Sequence, residues 1–211
     1  VKDIPKLAYA TNDAIDAQAI ESVTDEFVDH YGQLNEIIYP TTHEAAREWL
    51  DEFLIQRFSQ FGRYEDAMLP DQSWLYHSVL SPMLNNGLLT PAEVIAAALN
   101  YAKTQAIAMN NVEGFIRQII GWREFMRATY DESSVFMRNE NVWQHHRPMP
   151  KAFYQATTGM PPVDQCIQRV MDTAYCNHIE RLMVLGGFMF LCEIDPNDIY
   201  RWFMELFIDS Y

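Results

Sequence analysis

The chain has 211 residues, 49% of them hydrophobic and 13% aromatic, with 29 acidic side chains against 15 basic ones. That is enough apolar material for one domain with a sizeable core, and it excludes an intrinsically disordered chain. A formal charge of −14 and an isoelectric point near 4.7 argue against nonspecific binding to a phosphate backbone, which requires clustered Lys and Arg.

Only 8 glycines and few β-branched runs speak against a sheet, and the apolar spacing is helical almost throughout. Residues 13–29 place Ile15, Ala19, Ile20, Val23 and Phe27 on one face. Thr41-Thr42-His43-Glu44 reads as a capping box opening a helix that runs to about Phe58, with Trp49, Phe53 and Ile55 at its apolar positions. Gly62 closes that region. Thr90-Pro91-Ala92-Glu93 is a second capping box, with proline at the first helical position. Asn110 or Asn111 caps a long helix over 113–130. Phe115, Ile119, Trp122 and Phe125 recur along it, with Arg117, Gln118, Arg123 and Arg127 among them. Residues 131–163 are polar and rich in Pro and Gly, which predicts a long connection with at most short helices. Helices follow over 164–175 and 177–193. Asp195-Pro196-Asn197-Asp198 then opens the last one, with Asp195 as N-cap. The reading is an all-α, multi-helix array of antiparallel and oblique helices forming a single domain over 1–211.

The longest apolar run, Leu182 to Cys192, is too short for a membrane span of ~20 residues. Three cysteines cannot all pair, and none lies in a CxxC, so a reduced, cytoplasmic protein is expected, with all three thiols acting as small buried hydrophobes. His145-His146 reads as a loop pair rather than a metal site. The chain ends on FMELFIDSY without a polar tail, which suggests a fragment of something longer.

Taken alone, the 113–130 helix is a core helix with a solvated basic face, and the turn around Ser78–Ser81 is an ordinary Ser-capped helix start. Together they resemble a known family. EGFIRQIIGWREF is similar to the flavin-binding domain of photolyases and cryptochromes, in particular the bacterial photolyase-related group that includes (6-4) photolyases. Upstream, Ser78, Leu80, Ser81 and Pro82 match the family's hydroxyl-rich turn, while His77 and Val79 depart from it. Downstream, Asn177, His178 and Arg181 in AYCNHIERLM match a third motif, with Asn177 in place of a His. Trp202 in DPNDIYRWF matches a fourth, with Phe203 in place of a Tyr.

The resemblance implies FAD as cofactor, with Tyr64, Ser78, Leu80, Ser81, Gln118, Trp122, Arg123 and Arg181 around it. It implies that His178 gives a proton to a photolesion and that Trp202 belongs to an electron path to the flavin. The implied activity is light-driven repair of pyrimidine photolesions in damaged DNA. A cryptochrome-like photosensor and a non-catalytic helical interaction domain are the alternatives. The family's first iron–sulfur Cys falls at Pro162, so no cluster is expected. On this resemblance, the antenna domain and the segment that closes the flavin site are expected to lie outside these 211 residues. The chain is therefore expected to hold FAD weakly in an open cavity and not to repair DNA by itself.

Overall fold

The computed structural model describes residues 3–32, 34 and 36–210. Its α-helices are α1 (Ala14–Glu26), α2 (His43–Gln56), α3 (Phe61–Tyr64), α4 (Ser81–Asn85), α5 (Pro91–Gln105), α6 (Met109–Asn139), α7 (Ala152–Gln155), α8 (Pro161–Thr173), α9 (Gly187–Leu191) and α10 (Pro196–Leu206). A 3-10 turn at Phe58–Gln60 joins α2 to α3, and a π-helical segment, Glu180–Gly186, leads into α9. No strand forms among the described residues, as the periodicity predicts. The isolated bridges Leu69–Gln72 and Arg147–Ile194 only pin loops together.

The helix starts follow local chemistry, with two shifts from the sequence reading. Thr90 and Glu93 form the full reciprocal box at the head of α5. Asp195 caps α10 by accepting from the Asn197 N–H at 2.8 Å. At α2, however, Thr42 rather than Thr41 is the N-cap, accepting from Ala45 N–H, and Glu44 falls in the first turn. Ala108 opens α6, so neither Asn110 nor Asn111 caps it. Asn111 lies inside that helix, where its side chain accepts from Gly62 N–H and donates to Ser59 O, both at 2.9 Å. These two bonds tie α6 to the 58–64 region.

Three more expectations are corrected. The stripe on α1 is not buried. Ile15 is 74% exposed, Val23 and Phe27 also stay open, and only Asp16 is buried, through its capping bonds with Asp13. Periodicity marks a face but not its neighbour, and α1 packs against neither core. Ile55 is exposed because it sits opposite the buried positions Ala46, Trp49, Leu50, Phe53 and Leu54 of α2. The connection expected over 131–163 begins later, since α6 continues to Asn139 and ends only where Glu140 turns extended. Asp131, Glu132, Ser133 and Ser134 are polar because they lie on a solvated helix, not because they break it.

Two apolar clusters hold the array. The first joins α2, α3, α5 and the start of α6 around Phe53, Phe58, Phe61 and Phe115. The Phe115 ring lies 4.9, 5.5 and 5.4 Å from Phe53, Phe58 and Phe61. Each fully buried Phe contributes roughly 1.5–3 kcal/mol. The second cluster joins α7, α8, the π-helical segment, α9 and α10 around Ile167, Leu185, Met189 and Trp202. Tyr39 bridges towards it from the first, donating its hydroxyl to Thr173 O.

Candidate functional site

A cavity of about 360 Å³ opens where the first cluster meets the π-helical segment. Three stretches far apart in sequence build its walls. The turn before α4 brings Ser78, Leu80 and Ser81. One face of α6 brings Gln118, Trp122 and Arg123. The start of the π-helical segment brings His178 and Arg181, with Asp209 reaching in from beyond α10.

The floor is an ion pair. The Arg181 guanidinium meets the Asp209 carboxylate with both forks, at 2.8 and 3.0 Å, and its Nε donates to Cys176 O at 2.6 Å. The rings of Tyr175 and Phe207 lie on it, 4.7 and 4.6 Å from the guanidinium carbon. Burial works against the Arg181 charge, but Asp209 and Tyr175 outweigh it and hold the pKa above its ordinary value. Asp209 also accepts from the Ser81 hydroxyl, and its main-chain carbonyl accepts from Asn85 at 2.9 Å. Burial pushes the neighbouring Tyr175 phenol up to about 12. A charge pair this enclosed is costly to break, because either partner alone is left as a buried ion.

The wall formed by α6 carries a different charge. Arg123 has no hydrogen-bonded or ionic partner among the described residues, and partial burial lowers its pKa. A half-buried guanidinium with no carboxylate beside it suits an anionic ligand group. Glu65, which packs against α6 beside Gly114, is pushed up by burial and by Asp66.

The serine turn is held rigidly from behind. Trp49 Nε1 donates to Ser78 O at 3.1 Å. His77 is buried, with Nδ1 2.8 Å from Trp74 O and Nε2 2.8 Å from Glu65 O. Burial lowers the His77 pKa despite those two carbonyls. Val79 has φ +54° and is fully buried. A β-branched residue in the left-handed region stores on the order of 1–3 kcal/mol, a strain that clusters at ligand clamps. The Ser81 side chain does not cap α4; its hydroxyl is committed to Asp209.

Of the residues singled out in the sequence, Ser78, Leu80, Ser81, Gln118, Trp122, Arg123, His178 and Arg181 line this cavity. His178 is exposed at the mouth, its ring edge-on to Trp122 with centroids 6.5 Å apart. Two do not join them. Tyr64 stacks on Tyr76 at 5.0 Å, beneath the Arg63 guanidinium, and does not line the cavity. Trp202 is fully buried in the second cluster, donating its indole N–H to Phe153 O at 3.0 Å. Cys166 and Cys176 are buried, whereas Cys192 is only half-buried. Asp209 is the functional residue that sequence reasoning missed. Its signal was a single carboxylate in the apolar run before Ser210, a place where a charge requires a cation. Among the described residues, no helix is long and apolar enough to cross a membrane.

Comparison with known proteins gives the family and the fold. The family model described as the FAD binding domain of DNA photolyase matches residues 115–211. The (6-4) photolyase of Agrobacterium fabrum is 36% identical over 207 residues, which are 98% of this chain and 41% of that protein. Two proteins of Acanthamoeba polyphaga mimivirus are also similar. Uncharacterized protein R853 is 38% identical over 105 residues, 49% of this chain and 80% of R853. Uncharacterized protein R855 is 59% identical over 29 residues, 14% of this chain and 24% of R855. Among solved structures, a bacterial class III photolyase from Agrobacterium tumefaciens superposes with a TM-score of 0.67 at 21% identity, over 89% of this chain and 37% of that one. The chain thus spans about two fifths of the Agrobacterium relative. With its helices, its ordered motifs and these matches in agreement, the chain belongs to the photolyase/cryptochrome superfamily and corresponds to part of its helical FAD-binding domain.

Proposed function

We propose that the cavity takes the isoalloxazine ring of FAD, and that the chain serves a light-driven photolyase acting on pyrimidine lesions, (6-4) or cyclobutane, in damaged DNA. One observation carries this reading: three distant segments bring eight family-motif residues around one cavity with a fixed guanidinium in its floor. The residues suit a flavin. At about 360 Å³ the space is near the low end of the ~300–1,000 Å³ usual for small-molecule sites. It suits a planar ring better than a whole dinucleotide, whose phosphates then fall to the unpaired Arg123 and the Ser78 hydroxyl. Leu80 and Trp122 supply apolar cover.

FAD, when bound and reduced, supplies the electron that light drives into the lesion. The chain's residues do the rest. Arg181, fixed by Asp209, presents a preorganised positive charge towards the ring and favours its anionic reduced form. His178, at the mouth, is the group placed to hand a proton to a lesion entering past Trp122. The net charge of −14 requires that DNA be met through a local patch.

The test is flavin content, read as blue absorbance after reconstitution with FAD, for the parent chain, Arg123→Ala and Arg181→Ala. Both substitutions should lower the bound flavin, Arg181→Ala most. Flavin bound equally by all three would remove the cavity from consideration. In the full-length protein, His178→Ala should retain flavin and lose lesion repair under blue light. Repair at the parent rate would show that His178 is not the proton donor.

A further inference from the structure

A flavin must be reduced before it can give an electron away, so electrons have to reach the cavity. Trp202 offers no continuous route. It is fully buried in the second cluster, and the aromatic rings it meets among the described residues are Phe203 at 5.2 Å and Phe207 at 5.8 Å. A phenyl ring is far harder to oxidise than an indole or a phenol, so neither passes a charge on. A different set of rings starts in the cavity itself. Tyr175 lines it, and the Tyr175 ring lies 5.5 Å from Trp74, within the range of direct aromatic contact. Trp74 stands outside the cavity lining and is only half-buried. The branch that continues from Trp74 to Tyr39 and on to Trp49, at 6.5 and 6.3 Å, is buried, so Trp74 is where this set of rings meets water.

The phenol proton has a route of its own. Burial pushes the Tyr175 pKa up to about 12, so the residue is a phenol and not a phenolate at neutral pH. The Arg181 guanidinium lies on its ring, 4.7 Å away, and opposes a second positive charge there. Loss of an electron from Tyr175 therefore goes together with loss of its proton. The Tyr175 hydroxyl is hydrogen-bonded to Ser81, whose own hydroxyl donates to the Asp209 carboxylate. A proton acceptor thus stands one hydroxyl away.

We propose that Tyr175 and Trp74 form an electron relay between the cavity and solvent; this rests on the flavin reading of the cavity. Tyr175 gives one electron to light-excited oxidised FAD while its proton passes through Ser81 to Asp209. Trp74 returns an electron to Tyr175, and the proton comes back. A small soluble thiol then refills Trp74 from the solvent side. Two such rounds bring FAD to its anionic reduced form. Two thiol groups are oxidised to one disulfide, and of the two protons they release, one goes to the flavin and one to water.

The test loads the chain with FAD and measures bound flavin in the dark by its blue absorbance. Blue light is then applied. Spin resonance without thiol reads the amino-acid radical, and absorbance with dithiothreitol reads flavin bleaching. The parent should give an indole radical and should bleach. Trp74→Phe should hold as much flavin, since Trp74 does not line the cavity, yet lose both the indole signal and the bleaching. Tyr175→Phe should also lose both, counted per bound flavin, and Trp202→Phe should keep both. If flavin is bound and both signals survive Trp74→Phe and Tyr175→Phe, or vanish in Trp202→Phe, the relay is overturned and the flavin reading stands. A chain that holds no flavin in the dark overturns the two together.

Discussion

Gly62→Ala tests how the site is held in place. A methyl at Gly62 would lie 2.8 Å from the carbonyl carbon of Asn110 and 3.1 Å from Asn111 Cα, and closer still to the Asn110 oxygen. These are main-chain atoms, so α6 itself must move away from α3. That shift would drag Phe115 off Phe53 and Phe61, and overpacking of this kind costs about 1–3 kcal/mol. It would also stretch the Asn111 bonds to Gly62 and Ser59, worth about 1 kcal/mol each. A total of roughly 3–5 kcal/mol predicts a fall in melting temperature of about 6–20 °C for a chain of this size. Thermal unfolding followed by circular dichroism measures it. Gly121→Ala, also on α6, is the control. Nothing lies within 4 Å of its added methyl, so it should be neutral or stabilising by up to about 1 kcal/mol. A Gly62→Ala protein within ~0.5 kcal/mol of the parent would show that the α3–α6 contact is not tight, and would refute the reasoning.

Asp209→Ala should destabilise by up to about 3 kcal/mol in chemical denaturation, because it leaves the largely enclosed Arg181 guanidinium, 22% exposed, without its carboxylate. Thr90→Ala removes the side-chain half of the α5 box, leaving the Thr90 N–H bond to Glu93, and should cost about 1 kcal/mol in the same assay, with no change at the cavity. His77 sets a pH dependence. Its folded pKa lies below the ordinary 6.5, so the unfolded state binds more protons as pH falls through that value. Stability should therefore fall from about pH 6.5 downward, by at most ~1.4 kcal/mol per pH unit, and His77→Gln should flatten that part of the curve. Trp202→Phe loses the bond to Phe153 O and should cost about 1–2 kcal/mol while leaving flavin content unchanged, since Trp202 does not line the cavity.

The sequence was most legible where one residue's chemistry decides the outcome. Thr90 with Glu93 and Asp195 with Pro196 announce helix starts by themselves, and the structure puts them there. It was least legible where the outcome depends on what lies opposite. The α1 stripe looks like any buried stripe, and only the fold reveals that Ile15, Val23 and Phe27 stay exposed among the described residues. The polar run from Asp131 looks like a loop until α6 is seen continuing through it. At the site, ordered motifs brought eight residues to one cavity. Asp209 escaped because its partner Ser81 lies 128 residues away. Tyr64 was placed by interval alone, and its ring stacks on Tyr76 instead.

The π-helical segment, finally, acts as a phase shifter. Glu180–Gly186 winds more residues per turn than the helix that follows, and a Cβ at Gly186 would lie only 3.0 Å from Arg181 O. At its start, Arg181 is fixed to Asp209. At its end and beyond, Leu185 and Met189 are locked into the second cluster. Both ends need their own angular setting, and a regular helix could not satisfy the two at once. Removing one residue between 182 and 184 would let the helix wind normally and rotate everything downstream by about a quarter turn. Chain length in this stretch is therefore under the same constraint as side-chain identity, and a one-residue deletion here should be costlier than most substitutions.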